Sequence, residues 1–129
     1  MNIPPELLVV LFSYLIGSIS SGIIIGKLKN IDIRKLGSKS AGATNAIRTL
    51  GVVSALIVML LDIYKGYFAV EYIPSFFIVT NLENINQIKL LAAFASILGH
   101  VYPIFFKFKG GKGVGTALGS LFAIFPLSY

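Results

Sequence analysis

The sequence predicts an all-helical integral membrane protein. Hydrophobic residues make up 56% of the 129-residue chain and charged residues only 12%, whereas a soluble domain carries about 25% charged residues. The apolar residues are concentrated in four segments of a length suited to helices in a bilayer. We predict one incomplete membrane domain, residues 1–129, with spans at 5–26, 50–71, 89–106 and 114–129 and polar loops at 27–49 and 107–113.

The composition restricts the chemistry of the protein. The chain has no cysteine, one histidine and five carboxylates. Disulfides, thiolate zinc sites and cysteine nucleophiles are therefore ruled out, and we predict no metal site. The net charge is +6, but in a membrane protein an excess of Lys and Arg is first a signal of orientation. We expect no nucleic-acid partner.

Most of the cations fall in the two predicted loops. Six of the eleven Lys and Arg residues lie in residues 27–49 and three more in 107–113, while none precedes the first span. By the positive-inside rule both loops are cytoplasmic and the N-terminus is outside. Two loops on the same side of the membrane can contribute to one binding site.

The first span has no charge between Leu7 and Gly26. Twenty residues at 1.5 Å each cross about 30 Å of hydrocarbon. We interpret this span as a retained helix, because it lacks the basic region and small-residue cleavage site of a signal peptide. Gly22 and Gly26 form a G-x-x-x-G pair, which favours close packing against another helix. A groove for a substrate tail along the same face is the alternative.

The second and third spans carry ionisable residues, each of which costs about 2.5–3.5 kcal/mol at the centre of a bilayer. Asp62 and Lys65 are three residues apart, so on a helix they share a face and can neutralise one another. We interpret them as a structural ion pair facing the bundle; the alternative is that one of them orients a polar pocket. His100, near the end of the third span, is either a packing residue or a base.

The first loop contains a stretch of unusual composition, Gly37 to Leu50, with the sequence GSKSAGATNAIRTL. Small residues let backbone N–H groups approach a ligand, Ser, Thr and Asn add donors, and Arg48 supplies a forked cation suited to phosphate. We interpret it as one half of an anion-binding pocket. The span 31–36 before it is predicted to be a short amphipathic turn on lipid headgroups. A role in orientation is enough to explain four other cations of the loop: Lys27, Lys29, Arg34 and Lys35.

The second loop runs into FKGGKGVGT, residues 108–116. This stretch fails the Walker pattern G-x-x-x-x-G-K-[ST], since Gly113 follows Lys112. Its glycines still expose N–H groups, and a helix that begins at Val114 would present its N-terminus to an anion. We therefore predict a second half of the phosphate pocket here. No Ser-His-Asp set can be assembled with confidence, so group transfer would require an activated donor and catalysis by positioning and electrostatics.

Several of these residues together carry a resemblance to a known family. They are Gly37-Ser38, Gly42 to Asn45 and Arg48, then GHVYP at 99–103, then FKGGKG at 108–113, with Asp62 and Lys65-Gly66 between them. They resemble the bacterial glycerol-3-phosphate acyltransferases that use acyl-phosphate, the PlsY family. The similarity covers essentially the whole chain in order. It implies a fold of seven transmembrane helices, of which this chain holds three and part of a fourth, and no cofactor.

The resemblance also implies a reaction and a location. A fatty acyl group passes from acyl-phosphate to position 1 of sn-glycerol 3-phosphate, giving lysophosphatidic acid and phosphate for phospholipid synthesis. The site would face the cytoplasm from the bacterial cell (inner) membrane, with a functional link to the enzyme that produces acyl-phosphate. By position, the catalytic residues are Ser38, Arg48 and Lys112. The matching phosphate-binding residues are Gly37, Gly42, Thr44, Asn45, Lys109, Gly110, Gly111 and Gly113, and Asp62, Lys65 and His100 are further candidates.

Two departures from the family pattern affect these expectations. Lys39-Ser40 stands where the family usually has Gly-Asn, which removes an amide donor and a flexible glycine. The family also continues past Tyr129 with a third motif containing Asn and His, so we expect this chain by itself to be inactive. Two other classes stay open. One is a membrane transporter or channel subunit for phosphate or organic anions, and the other is a structural fragment whose loops only set the topology.

Overall fold

The computed structural model describes residues 3–77 and 85–125. All regular secondary structure in these ranges is helical, which confirms the predicted fold class. Parts of the predicted connector and the end of the fourth span lie outside the described residues. The helices are α1 Pro5–Gly17, α2 Ser21–Leu28, α3 Ala43–Leu50, α4 Val52–Glu71, α5 Ile73–Phe77, α6 Ile85–Val101 and α7 Val114–Ile124, with 3₁₀ turns at Ile33–Lys35 and Ile104–Phe106.

Three helical stretches are long and apolar enough to cross a membrane: Pro5–Leu28, Val52–Phe77 and Ile85–Phe106. The fourth apolar helix, α7, is shorter, and it begins at Val114 as the sequence predicted. Large apolar side chains on these helices remain exposed within the described residues. Such an exposed apolar surface is suited to contact with lipid or with further helices.

The first span is broken where the sequence predicted a continuous helix. α1 ends at Gly17, and α2 begins at Ser21 with Ser20 as its N-cap, whose Oγ accepts a hydrogen bond from the Ile23 amide at 3.4 Å. Serines compete for backbone hydrogen bonds and so favour caps over helix interiors. The break releases the carbonyl of Ile19, which accepts a hydrogen bond from Lys65 Nζ at 3.0 Å. Interrupted helices of this kind are tolerated where the protein satisfies the released backbone groups.

The first loop is more ordered than predicted. Ala43–Leu50 forms the two-turn helix α3, which ends at Gly51 with a φ of 97° before α4 begins. Within the predicted amphipathic turn at 31–36, Ile33–Lys35 forms a 3₁₀ turn, and Ile33 is fully buried against the protein. Seven apolar residues of α2, the loop, α3 and α4 form one buried cluster: Ile23, Ile33, Ala41, Ala46, Leu50, Ala55 and Val58. Burial of apolar surface therefore fixes the loop on the helices.

Small residues allow two close helix pairs. A Cβ added at Gly66 would collide with the carbonyl of Thr116, and one at Gly119 with the carbonyl of Ile63, so α4 and α7 approach backbone to backbone. In the same way Gly17 of α1 lies against the Ser96 carbonyl of α6. Such contacts are the usual basis of helix association in membranes.

The G-x-x-x-G pair of the first span has a different partner from the one predicted. A Cβ at Gly22 would collide with the carbonyl of Ala41, and one at Gly26 would lie 2.7 Å from the carbonyl of Ile31. Both glycines thus face the backbone of the first loop and not another helix. Their function is to seat the loop on α2, which places Ala41 and its neighbours at the candidate site.

Candidate anion-binding site

A cavity of about 260 Å³ lies where the first loop and α3 meet α4, α6 and the start of α7. This volume is just below the usual range for small-molecule sites, about 300–1,000 Å³. Most of its wall comes from the two stretches that the sequence singled out. The lining residues are Ser38, Ser40, Gly42, Ala43, Thr44, Asn45, Arg48, Met59, Asp62, His100, Lys112, Gly113, Val114, Gly115 and Leu118.

The two loops touch each other directly. The Ala41 amide donates to the Gly110 carbonyl at 3.3 Å, and the amide of Gly111 donates to the carbonyl of His100 at 3.3 Å. A Cβ at Gly111 would lie 3.1 Å from the Gly42 nitrogen and 2.6 Å from His100 Nε2. Glycine is required here because the backbones of two loops and an imidazole meet at one point.

Two helix N-termini open into the cavity. α3 begins after Gly42 and α7 after Gly113, and neither cap residue has a side chain that could accept a hydrogen bond. The first N–H groups of a helix have no intrahelical partner, and together with the helix dipole they attract an anion. The Gly113 cap has a φ of 83°, a left-handed conformation that favours glycine.

The three predicted catalytic residues line this one cavity. Ser38 and Arg48 come from the first loop and α3, and Lys112 comes from the second loop. All three are exposed. Among residues 3–77 and 85–125, neither cation forms a salt bridge or a side-chain hydrogen bond, so both charges are free to meet a ligand. A guanidinium, an ammonium and two helix N-termini around one space favour binding of a phosphate.

Asn45, predicted to bind phosphate, is engaged in holding the first loop. The side chain is 1% exposed. Its Nδ2 lies 3.0 Å from the Ile33 and Leu36 carbonyls and 2.8 Å from the Ser40 carbonyl, while its Oδ1 accepts from the Ser38 amide at 3.0 Å. These contacts engage both N–H donors of the carboxamide, so neither is left to donate to a phosphate. The geometry therefore makes Asn45 a residue that positions Ser38.

A buried polar network reaches the cavity through Asp62 and His100. Ser21 Oγ donates to Asp62 Oδ1 at 2.8 Å, Lys65 Nζ lies 3.3 Å from the same oxygen, and it also lies 2.8 Å from His100 Nδ1. A protonated lysine can only donate, so Nδ1 of His100 accepts this hydrogen bond. The ring proton of the neutral imidazole is then on Nε2. The predicted pair of Asp62 and Lys65 is present, and it is joined by a serine and a histidine.

Little in the sequence indicates that Ser21 and the Ile19 carbonyl belong to this network. Both depend on the break after α1, which a run of uncharged residues does not reveal. The available signal was the close spacing of three serines, Ser18, Ser20 and Ser21, within the first span.

Five of the predicted site residues do not line the cavity, and most of them contact residues that do. Gly37 has a φ of 56° and lies against the side chain of Asn45, and Gly110 lies so close to the His100 carbonyl that a side chain would not fit. Gly111 lies beside His100 Nε2, as described above. Lys65 reaches the cavity only through Asp62 and His100. Lys109 contributes a backbone carbonyl to a contact with the first loop.

The fold and the cavity define an integral, multi-pass membrane protein with a cationic pocket between two glycine-containing loops. Comparison with known proteins identifies its family. The sequence profile of the family described as glycerol-3-phosphate acyltransferase matches residues 7–129, and the chain belongs to that family.

Individual relatives agree with this assignment. The glycerol-3-phosphate acyltransferase of Aquifex aeolicus is 46% identical over 120 residues, which cover 93% of this chain and 60% of the relative. The glycerol-3-phosphate acyltransferase of Chlorobium limicola is 50% identical over 122 residues, which cover 90% of this chain and 52% of the relative. The chain thus spans a little more than half the length of the relatives that it matches.

Solved structures show the same fold. A crystal structure of PlsY (YgiH), an integral membrane glycerol 3-phosphate acyltransferase, in its glycerol 3-phosphate form superposes with a TM-score of 0.80 at 44% identity, over 95% of this chain and 59% of that one. Its lysophosphatidic acid form gives a TM-score of 0.76 over 95% and 58%. The described helices therefore correspond to part of the PlsY fold.

Proposed function

We propose that the protein containing this chain transfers a fatty acyl group from acyl-phosphate to position 1 of sn-glycerol 3-phosphate, releasing lysophosphatidic acid and inorganic phosphate. The observation that carries the proposal is the meeting of Arg48, Lys112 and the N-termini of α3 and α7 around one cavity. The relatives solved in glycerol 3-phosphate and lysophosphatidic acid forms support a phosphate-bearing substrate and product.

In this proposal the two cations and the helix N-termini hold phosphate oxygens. The 1-hydroxyl oxygen of glycerol 3-phosphate attacks the acyl carbonyl carbon, the ester C–O bond forms, and the C–O bond to phosphate breaks. The hydroxyl proton passes to a phosphate oxygen. Asp62 is not assigned as the base, because its Oδ1 is engaged by Ser21 and by the Lys65 ammonium in the buried network. Catalysis then consists of orienting two substrates and stabilising the charge that leaves with phosphate.

Ser38 and the polar wall have supporting roles. Ser38 lines the cavity, and Asn45 accepts a hydrogen bond from its backbone amide. His100, with its proton on Nε2, is placed to donate a hydrogen bond toward the glycine loop or to a ligand oxygen beside it. Lys65 donates to Nδ1 of His100, which fixes this tautomer, and it neutralises the charge of Asp62. The Nε2–H donor is therefore held in one orientation in a low-dielectric environment, where hydrogen bonds are stronger.

We propose further that the cavity opens to the cytoplasm of a bacterial cell membrane. Nine of the eleven cations lie in the two loops that meet at the cavity, and such loops stay on the cytoplasmic side. That side is where glycerol 3-phosphate and a soluble enzyme making acyl-phosphate would be available. The N-terminus is then outside, and the rest of a seven-helix fold packs against the exposed apolar faces.

The reaction is tested directly with purified protein in lipid nanodiscs supplied with palmitoyl-phosphate and radiolabelled glycerol 3-phosphate. The proposal predicts labelled lysophosphatidic acid and an equal amount of phosphate from the protein that contains this chain. Phosphate or organic-anion flux in proteoliposomes without any acyl transfer would contradict the proposal and favour the transporter.

A further inference from the structure

Arg34 connects the two loops that form the cavity. Its Nη1 donates to the carbonyl of Phe106 at 2.7 Å and lies 3.4 Å from the carbonyl of Lys109. The remaining edge of the guanidinium faces Asp32, with Nε 3.2 Å from Oδ1 and Nη2 3.5 Å from Oδ2. One side chain thus joins the first loop to two carbonyls of the second, more than seventy residues away.

The arginine is itself held in place at its base. Asp32 accepts a hydrogen bond from the Arg34 amide at 3.0 Å and caps the 3₁₀ turn that carries it. The Arg34 side chain is only 17% exposed, and the adjacent Ile33 is fully buried. A planar guanidinium fixed by a carboxylate loses little further entropy when it binds two carbonyls. A sequence interpretation of Arg34 as an orientation signal is therefore incomplete.

A second contact holds the same segment from the other side. Lys27 Nζ lies 5.2 Å from the centroid of the Phe106 ring, within the distance of a cation–π interaction. The segment that Arg34 and Lys27 secure leads directly into Gly110, Gly111 and Lys112. The Ala41–Gly110 hydrogen bond between the same loops is longer, at 3.3 Å, than the 2.7 Å bond from Arg34 to Phe106, so Arg34 makes the stronger link.

We propose that Arg34 is a positioning residue that sets the separation between the two halves of the phosphate site, and so tunes the affinity for the phosphate of glycerol 3-phosphate. Arg34 does not line the cavity among the described residues, and it does not touch the ligand. It acts by fixing Phe106 and Lys109, and with them the backbone on which Lys112 lies. This inference rests on the proposed function.

The test compares Arg34→Ala, Arg34→Lys and Lys35→Ala in the full-length enzyme. Lys35 is the next residue, is exposed, and has no side-chain hydrogen bond or salt bridge among the described residues, so it controls for the loss of one charge. We expect the KM for glycerol 3-phosphate to rise about tenfold or more in Arg34→Ala, with a smaller change in KM for acyl-phosphate. Lys35→Ala should leave both values within about twofold.

Arg34→Lys separates positioning from charge. Lysine keeps the charge but not the planar fork that meets a carboxylate and two carbonyls together, so we expect it to recover less than half of the lost affinity. Full recovery by lysine, or an unchanged KM in a folded Arg34→Ala protein, would overturn the inference. If Arg34→Ala does not fold, Arg34→Lys alone decides between these outcomes.

A distance measurement tests the link without relying on activity. Spin labels at the exposed residues Leu36 and Phe105 report the separation of the loops by pulsed electron resonance. We expect one narrow distribution in the parent protein and in Lys35→Ala, and a broadened or shifted one in Arg34→Ala. An unchanged distribution in Arg34→Ala would reject the link even if the enzyme is active. If the parent protein shows no acyl transfer, but Arg34→Ala still broadens or shifts the distance distribution, only the proposed function is rejected.

Discussion

Replacement of Asn45 by alanine provides a quantitative test of how the first loop is built. The substitution leaves three carbonyls and the Ser38 amide without their side-chain partner. Because Nδ2 has two hydrogens for three acceptors, about three effective hydrogen bonds are lost. At 0.5–1.5 kcal/mol each, the free energy of unfolding should fall by about 1.5–4.5 kcal/mol. At about 4 °C per kcal/mol for a chain of this size, the Tm should fall by about 6–18 °C.

The assay is thermal unfolding of the purified protein in detergent micelles, followed by circular dichroism of the helices. Asn45→Asp is the most informative second variant. It keeps the Oδ1 acceptor for the Ser38 amide but turns a second oxygen toward three carbonyls, so we expect a loss at least as large as for alanine. Ile47→Ala is the matched control, since Ile47 lies on the same helix and is 54% exposed.

Two results would refute this account of Asn45. One is a free energy of unfolding for Asn45→Ala that lies within about 0.5 kcal/mol of the parent value, as expected for Ile47→Ala. The other is a Tm for Asn45→Asp equal to that of the parent. Either result would mean that the carboxamide does not hold the loop, and direct phosphate binding by Asn45 would then be the better assignment.

Three further predictions concern the wall of the cavity and the link between the loops. Gly111→Ala should raise the KM for glycerol 3-phosphate about tenfold, because its Cβ would lie 2.6 Å from His100 Nε2; steady-state kinetics with an unchanged KM would contradict this. Lys65→Met should reduce the free energy of unfolding by about 3–5 kcal/mol, because it leaves Asp62 charged and buried. Adding Asp62→Asn should recover part of this loss, as measured by thermal unfolding. A double variant less stable than Lys65→Met would contradict the pairing. Burial raises the pKa of Asp32, but the hydrogen bonds and charge of the neighbouring arginine outweigh burial and bring the pKa below its ordinary value of 3.8. A lowered pKa contributes stability that is lost only as the pH falls through it, so the distance between the loops should stay constant down to about pH 5, and a change above that pH would contradict the assignment.

The sequence allowed the fold class and the composition of the cavity to be predicted because both depend on local patterns. Long uncharged segments specify membrane helices whatever their packing. Glycine and hydroxyl stretches beside Arg48 and Lys112 indicated two halves of an anion site, and the described structure brings these residues to one cavity. Their individual roles in binding and catalysis remain predictions.

The features that were missed depend on contacts between distant segments. At the break between α1 and α2, Lys65 bonds the released Ile19 carbonyl, 46 residues away, and α3 is stabilised by burial against α2 and α4. Arg34 could not be distinguished from the other loop cations, because only its distance to Phe106 reveals the link. Local patterns do not report such pairings, which arise when packing overrides local preference.

The central claim is that Arg48 and Lys112, from separate loops, hold one phosphate. A double-mutant cycle of Arg48→Ala and Lys112→Ala tests it most directly, with the Kd for glycerol 3-phosphate measured by calorimetry on the full-length protein. We predict that each single variant weakens binding by about tenfold or more and that the two losses are coupled by more than about 0.5 kcal/mol, as expected for residues that share a partner. Additive losses, or binding unchanged in either single variant, would contradict the claim.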